Sequence, residues 1–353
     1  MFIMSTSYYF DPETILLHKD KTCLVKECNV GDSLMDCNGS LYNIVKKEVT
    51  TLPGVKITPF RATPFYIPLD GTLHCKSGGV SIYAYGEVVN IEYKMIEHKS
   101  WISSRFKLYR SPAPFTKKEC KIHPYIVGCW FVRGNRTFIQ LKSKEVIEEI
   151  QRLCGETPDL SCSAEDFTFD GTRYNYRFNK PFYKWLQEMK MEKSIANCPT
   201  DYLYGDTSQR IALLTGILDS IGHLRNHCST YDISLRRKDH AESIAWVART
   251  LGFYVNMKVL KLKNSGRLKK TIPYKGEPVI RIFITIDPNI VACVDPKKRA
   301  PVRTCQQTNF VTGFEHEFNG DYEFVCLTVD SDKPTSWLTT ESIHIASTLH
   351  STE

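Results

Sequence analysis

The chain has 353 residues, 42% hydrophobic and 24% charged, with 46 Lys and Arg against 39 Asp and Glu for a formal net charge of +7. That length predicts two or three domains, each able to bury its own core, and the composition argues against a disordered chain. No apolar run approaches the ~18 residues a membrane span needs, MFIMSTSYYF lacks the basic start of a secretory signal, and 13 cysteines without CxxC spacing exclude a fully paired disulfide framework or a zinc ribbon. The expectation is an intracellular chain, nuclear or cytoplasmic, with reduced and mostly buried thiols and no membrane partner.

Residues 1–118 read as β throughout. Short apolar stretches (YNIVKKEV, VKITPF, VSIYAY, EVVNIEYKM) are separated by Gly, Pro and Asn, and Cys37-Asn38-Gly39 suits a tight turn. From Lys121 the pattern becomes mixed. PYIVGCWFVRG (124–134) is an apolar helix with two glycines, FIQLK (138–142) a strand, and KSKEVIEEIQRLCG (142–155) a helix with Val146, Ile147, Ile150 and Leu153 on one face and Gly155 at its end. The same order recurs in LLTGILDSIG (213–222), YDISLRR (231–237) and KDHAESIAWVARTLG (238–252), where Ile244, Val247, Ala248 and Leu251 share a face and Gly252 follows. Gly128 and Gly134 lie six apart, as do Gly216 and Gly222, and the two pairs are offset by 88. This predicts a duplicated subdomain of roughly 90 residues, its apolar helices meeting through small residues. The alternative is two unrelated αβ segments with coincidental glycines. From Thr308 onward the chain is β again (GDYEFVCLTVD, WLTTESIHIAS), so a middle domain inserted between pairing β ends is expected.

The charge is unevenly placed. Leu251–Arg303 holds 12 Lys and Arg against 3 acids, whereas Thr304–Glu353 holds Lys333 against 8 acids. The basic excess falls on two predicted strands, 253–263 and 277–286, and on the loop between them with Arg267, Lys269, Lys270 and Lys275. A basic hairpin suits a polyphosphate partner, because each neutralised phosphate releases counterions. The bland alternative is a solvated surface hairpin.

These segments together carry a family resemblance. LLTGILDSIGHL (213–224) resembles the second signature helix of the LAGLIDADG (DOD-type) homing endonucleases, and PYIVGCWFVRG resembles the first. KPFYK (180–184) and CPTDYLYGDTSQRIALLTG (198–216) resemble the stretch leading into the second helix, and VACVDPKKRAP (291–301) is similar to the lysine-rich segment after the second repeat. NVGDSLMDCNG (29–39), EYKMIEHKSWISSRFKLYRSPAPF (92–115) and YEFVCLTVDSDKPTSWLTTESIHIAS (322–347) are similar to parts of the Hint splicing fold of inteins. The resemblance runs over nearly the whole chain in the family's order, with the DNA-recognition insertion of the first domain much shortened. It implies an α+β multidomain chain. A β-rich Hint-like domain (1–118 plus 308–353) is interrupted by a pseudo-twofold LAGLIDADG-type αββαββα duplicated domain (119–307, repeats near 121–200 and 201–307). It also implies a monomer with internal pseudo-symmetry.

The family's chemistry requires one carboxylate just before the final glycine of each signature helix, to hold Mg²⁺ between the scissile phosphates. Those positions are Arg133 and Ile221, a cation and an alkane, and neither can bind the metal. Asp219 lies two residues back, roughly 200° around a helix of ~3.6 residues per turn. A family lysine ahead of the second helix falls at Ala196, while a second is matched by Lys297 or Lys298. The resemblance therefore implies no metal cofactor and an inactivated nuclease. Splicing requires a Cys or Ser at the first residue and a terminal His-Asn. The aligned start is Tyr8, with Ser7 adjacent, and the aligned end is Ala346-Ser347-Thr348. His74 matches the assisting histidine, or is structural. What remains is a saddle for double-stranded DNA, with Arg173, Tyr174, Tyr176 and Arg177 serving the first half and Lys258, Lys261, Lys263, Arg267, Lys269 and Arg281 the second. Two rival functions stay open: an active endonuclease with relocated acids, and an RNA- or protein-interaction module.

Overall fold

A computed structural model describes residues 5–18, 21–60, 62–80, 83–95, 105–156, 167–191, 197–225, 228–260, 278–302, 310–331 and 335–345. The architecture is mixed α/β and strand-rich, with six α-helices among the described residues. The chain divides into two compact units, one of Met1–Thr116, Arg249–Gly252 and Thr308–Glu353, the other of Lys117–Ala248 and Phe253–Gln307.

In the first unit, β5 (Leu41–Pro59) and β18 (Phe314–Val329) pair antiparallel from Phe314↔Pro59 to Val329↔Ile44. β1 (Thr6–Phe10) lies along the other edge of β18, and both β4 (Ser33–Met35) and β6 (Phe65–Pro68) pair with β5. Residues from the two ends of the chain thus share one sheet. The last six residues of β18, Phe324–Val329, are all buried, as suits a strand covered on both sides. Its register breaks between Phe318 and Asp321, where Gly320 takes a φ of 73°. A second sheet runs β17 (Val311–Thr312), β9 (Phe106–Tyr109), β7 (Thr72–Val80), β8 (Tyr83–Glu92). Two short ladders join β2 (Ile15–Leu17) to β3 (Thr22–Leu24) and β19 (Trp337–Leu338) to β20 (His344–Ile345). The core gathers Tyr8, Leu16, Val55, Ile57, Cys75, Leu108, Leu327 and Trp337. The turn at Cys37-Asn38-Gly39 forms around Asp36, whose carboxylate accepts the N–H groups of Asn38 and Ser40 at 2.9 and 2.8 Å.

Two expectations change in this unit. WLTTESIHIAS is two short strands rather than one, because Ser342 turns the chain at a φ of 56°. The cysteines are not all reduced: Cys23 and Cys28 form a disulfide. The 3-10 turn Val25–Glu27 between them brings their Cα atoms to 6.3 Å, within bridging reach.

The second unit is built from two runs of similar order. The first comprises α1 (Pro124–Arg133), β10 (Phe138–Leu141), α2 (Lys144–Gly155), β11 (Phe167–Phe169), β12 (Tyr174–Arg177) and α3 (Lys180–Glu188). After the one-turn α4 (Thr200–Leu203) come α5 (Thr207–Ile221), β13 (His223–Leu224), β14 (Thr230–Leu235), α6 (Lys238–Thr250), β15 (Tyr254–Leu260) and β16 (Val279–Thr285). The sheets match as well. The first has the order β10-β12-β11 and the second β14-β16-β15, with β13 added at the β14 edge. α5 begins six residues before the apolar run at 213, because Asp206 and Gln209 form a capping box at its N-terminus.

Candidate nucleic-acid interface

α1 and α5 pack through their glycines. A Cβ on Gly128 would stand 2.2 Å from the Leu213 carbonyl oxygen, and one on Gly216 would stand 2.1 Å from that of Tyr125. The contacts exchange under the sequence offset of 88: Gly128 meets Leu213 and Ile217, and Gly216 meets Tyr125 and Cys129. The helices also end alike. Gly134 and Gly222 are the C-caps, with φ −66° in both and ψ of 143° and 142°. Each glycine is required for close approach, since a Cβ would lie 2.2 Å from the Trp130 ring nitrogen at Gly134 and 2.7 Å from the Leu218 carbonyl oxygen at Gly222.

Just before these caps stand Arg133 and Ile221. Both line an open cleft of about 460 Å³ with Val132, His223, Asp232, Ser234 and Leu235. Arg133 also lines a second cleft of about 350 Å³, with Asn135, Phe138, Gln140 and Arg173. Asp219 faces away from both clefts and is 4% exposed. Its carboxylate accepts the Tyr125 hydroxyl at 3.0 Å and the N–H groups of Val294 and Asp295 at 2.9 and 3.1 Å. Burial pushes this carboxyl up from its ordinary range, while these donors and the Lys298 ammonium pull it back. Lys298 donates to the carbonyl oxygens of Leu218 and Asp219 at 3.2 and 2.6 Å. It therefore caps the end of α5, where a cation is favoured. Burial lowers its pKa. Lys297 is exposed, and lines neither cleft.

Strand alternation sorts the two sheets into a core face and an open face. In the first sheet Ile139, Leu141 and Tyr176 face the core. Tyr176 is fully buried, with its hydroxyl against the Cys154 sulfur at 3.9 Å, which corrects the expectation that it reaches DNA. Tyr174 has the same parity. The open face carries Phe138, Gln140, Asn175, Arg177 and Thr168. Gln140 donates to Asn175 at 2.8 Å and accepts from Arg173 at 3.3 Å. In the second sheet Tyr231, Ile233, Ile282, Ile284 and Val255 face the core, leaving Thr230, Asp232, Ser234, Asn256, Lys258, Arg281, Phe283 and Thr285 on the other side. Arg281 is not available as a free cation. Its Nε donates to both oxygens of Asp232 at 2.8 and 2.9 Å, and a second guanidinium nitrogen also reaches this carboxylate. Lys258 is exposed on the same face. Ala196, Lys261, Lys263, Arg267 and Lys269 lie outside the described residues.

Sequence patterns did not single out Asp232, Ser234, His223, Gln140 or Asn175. Asp232 is the carboxylate nearest in kind to a relocated metal ligand, since among the described residues lining the two clefts no other acid occurs. Its pairing with Arg281 commits it elsewhere. Among the described residues no cluster of three or more His, Cys, Asp or Glu could hold a metal ion.

In the first unit, His74 stacks on His344 with ring centroids 4.8 Å apart. His74 Nδ1 meets Asn90 Oδ1 at 2.7 Å, and the two ring nitrogens of His344 meet Ser336 and Ser111 hydroxyls at 2.8 and 2.7 Å. Burial, then the charge of His74, pushes His344 down to about 3. Tyr8 is fully buried against Trp337, and Ser7 bonds Thr328 at 2.9 Å. All of these groups are occupied by structural partners.

No protein-family model matches the sequence, and no curated protein matches it. Among solved structures, the chain is similar to I-DmoI in complex with DNA and Mn, at 17% identity and a TM-score of 0.33, over 46% of this chain and 89% of that one. It is also similar to full-length DUF199/WhiA from Thermatoga maritima (13% identity, TM-score 0.31, 47% of this chain and 51% of that one). A third likeness is to the MchDnaB-1 intein, at 14% identity and a TM-score of 0.18, over 24% of this chain and 79% of that one. Likenesses this distant assign no function to the chain. No helix among the described residues is long and apolar enough to cross a membrane.

Proposed function

We propose that the chain is a degenerate relative of the LAGLIDADG homing endonucleases and Hint inteins. On this reading the middle domain, 119–307, binds duplex DNA along the two open sheet faces and does not hydrolyse it. The observation that carries the reading is the reciprocal helix contact at Gly128 and Gly216, offset by 88 residues, between two αβ runs whose sheets share one strand order. Such a repeat places two similar polar faces within one chain, which suits the pseudo-symmetric backbone of a duplex and needs no second protomer. Arg177 and Lys258 supply phosphate contacts, and Gln140 and Asn175 supply amides that can read base edges.

Hydrolysis by the family's route does not fit the residues present. A divalent ion needs oxygen ligands, and Arg133 and Ile221 occupy the two required positions. Asp219 is turned inward onto backbone N–H groups. The terminal nucleophile and the His-Asn pair of a splicing reaction are likewise missing from Tyr8 and from 346–348. The test pairs two assays on the purified chain: binding to a random duplex library in EDTA, and cleavage of the same library with Mg²⁺ or Mn²⁺. Binding without cleavage is expected. Metal-dependent cleavage that disappears in Asp232→Asn overturns the inactive reading in favour of a relocated acid, and preference for structured RNA over duplex overturns the choice of partner.

A further inference from the structure

Arg133 is the last residue of α1 and stands where both clefts meet, lining each of them. It is half-buried. Among the described residues no carboxylate or carbonyl pairs with it, whereas Arg281 is engaged by Asp232 and Arg237 by Asp239. Asp232, the acid of the same cleft, is paired with Arg281, and the charge that acts on Arg133 is the cation Arg173. Burial and the charge of Arg173 hold its pKa below the ordinary arginine value, and its own charge helps depress that of Lys298. The negative end of α1 offsets part of this cost, an effect that is small and confined to the last helical turn. A guanidinium beside like charges, with no carboxylate paired to it among the described residues, is a site that gains from an anion.

We propose that Arg133 binds a phosphodiester of the duplex directly, its guanidinium standing in charge and place for the metal ion that a carboxylate there would have held. The inference rests on the duplex-binding reading of this unit. A phosphodiester fits because the planar guanidinium fork matches two phosphate oxygens, and because the clefts on either side are lined by the polar side chains of Asn135, Gln140 and Ser234. Binding through Arg133 needs no divalent ion, so a chelator leaves it intact. The replacement that removes the nuclease thus retains the grip on the backbone at the same point.

The test uses the full chain, a random-sequence duplex and EDTA throughout, with affinity measured from low to moderate salt for wild type, Arg133→Gln and Arg133→Lys. Thermal unfolding of each variant confirms that it folds. The expected result is an affinity loss of about tenfold in Arg133→Gln, with the salt slope smaller by about 1. Arg133→Lys keeps the slope, because the charge remains, while losing part of the affinity with the bidentate geometry. Wild-type binding with Arg133→Gln unchanged in both affinity and slope overturns the role of Arg133 and leaves the duplex-binding reading standing. No duplex binding by wild type overturns both.

Discussion

Asp219, near the end of α5, is a buried acid held by structural partners. Three donors converge on its carboxylate, and two of them are backbone N–H groups of the segment that follows the second sheet. Asp219→Ala therefore strands those donors in a buried site and is expected to destabilise the chain by about 2 kcal/mol. Denaturant unfolding checks the loss, and nuclease assays are expected to stay blank in both proteins. His344 supplies a pH dependence of defined sign. Its folded pKa is pushed down to about 3 by burial, whereas an unfolded histidine titrates near ~6.5. As pH falls through that window the unfolded chain takes up the proton first. The stabilisation is complete above about 6.5 and is lost progressively toward about 3, a change on the order of a few kcal/mol. His74, also lowered by burial, acts in the same direction. Melting temperature measured from pH 7.5 to 4.5 is expected to fall, and His344→Gln is expected to flatten that fall.

The elements were legible where physical chemistry leaves one solution. Gly128 and Gly216 announce a close helix pair because only a missing Cβ lets a carbonyl come that near. Ala at either position drives a methyl into the facing backbone and is expected to cost roughly 2–4 kcal/mol, measured by chemical unfolding. The hydrophobic faces of α2 and α6 were readable from periodicity, and β15 and β16 from their β-branched runs. What the strands present to a ligand was less legible. Tyr176 sits one step off the parity of its open-face neighbours Asn175 and Arg177, and a single-residue change of parity moves a side chain into the core. Arg281 has the right parity but meets Asp232 diagonally across β14, because its direct partner in register is Ser234. The His74–His344 stack joins residues from two different ladders, and neither local pattern signals the other. Cys23 and Cys28 were misread because a 3-10 turn closes a spacing that matches no familiar motif.

For the whole molecule the net charge of +7 conceals its distribution. The acidic stretch Thr304–Glu353 falls partly in β18 and the first unit, while the described cations Arg133, Arg173, Arg177 and Lys258 belong to the second. The proposed anionic partner therefore suits the second unit by charge. On the proposed duplex-binding reading, Arg177→Ala/Lys258→Ala is expected to weaken duplex binding at every sequence alike and to reduce the salt slope by about 2. A change in sequence preference instead would mean that these residues read bases. The most direct measurement is the affinity of the purified chain for duplex DNA as a function of salt in EDTA. The account predicts tight binding at low salt and a linear fall of log affinity with log salt, with a slope of several units. No binding at low salt, or an affinity indifferent to salt, would contradict it.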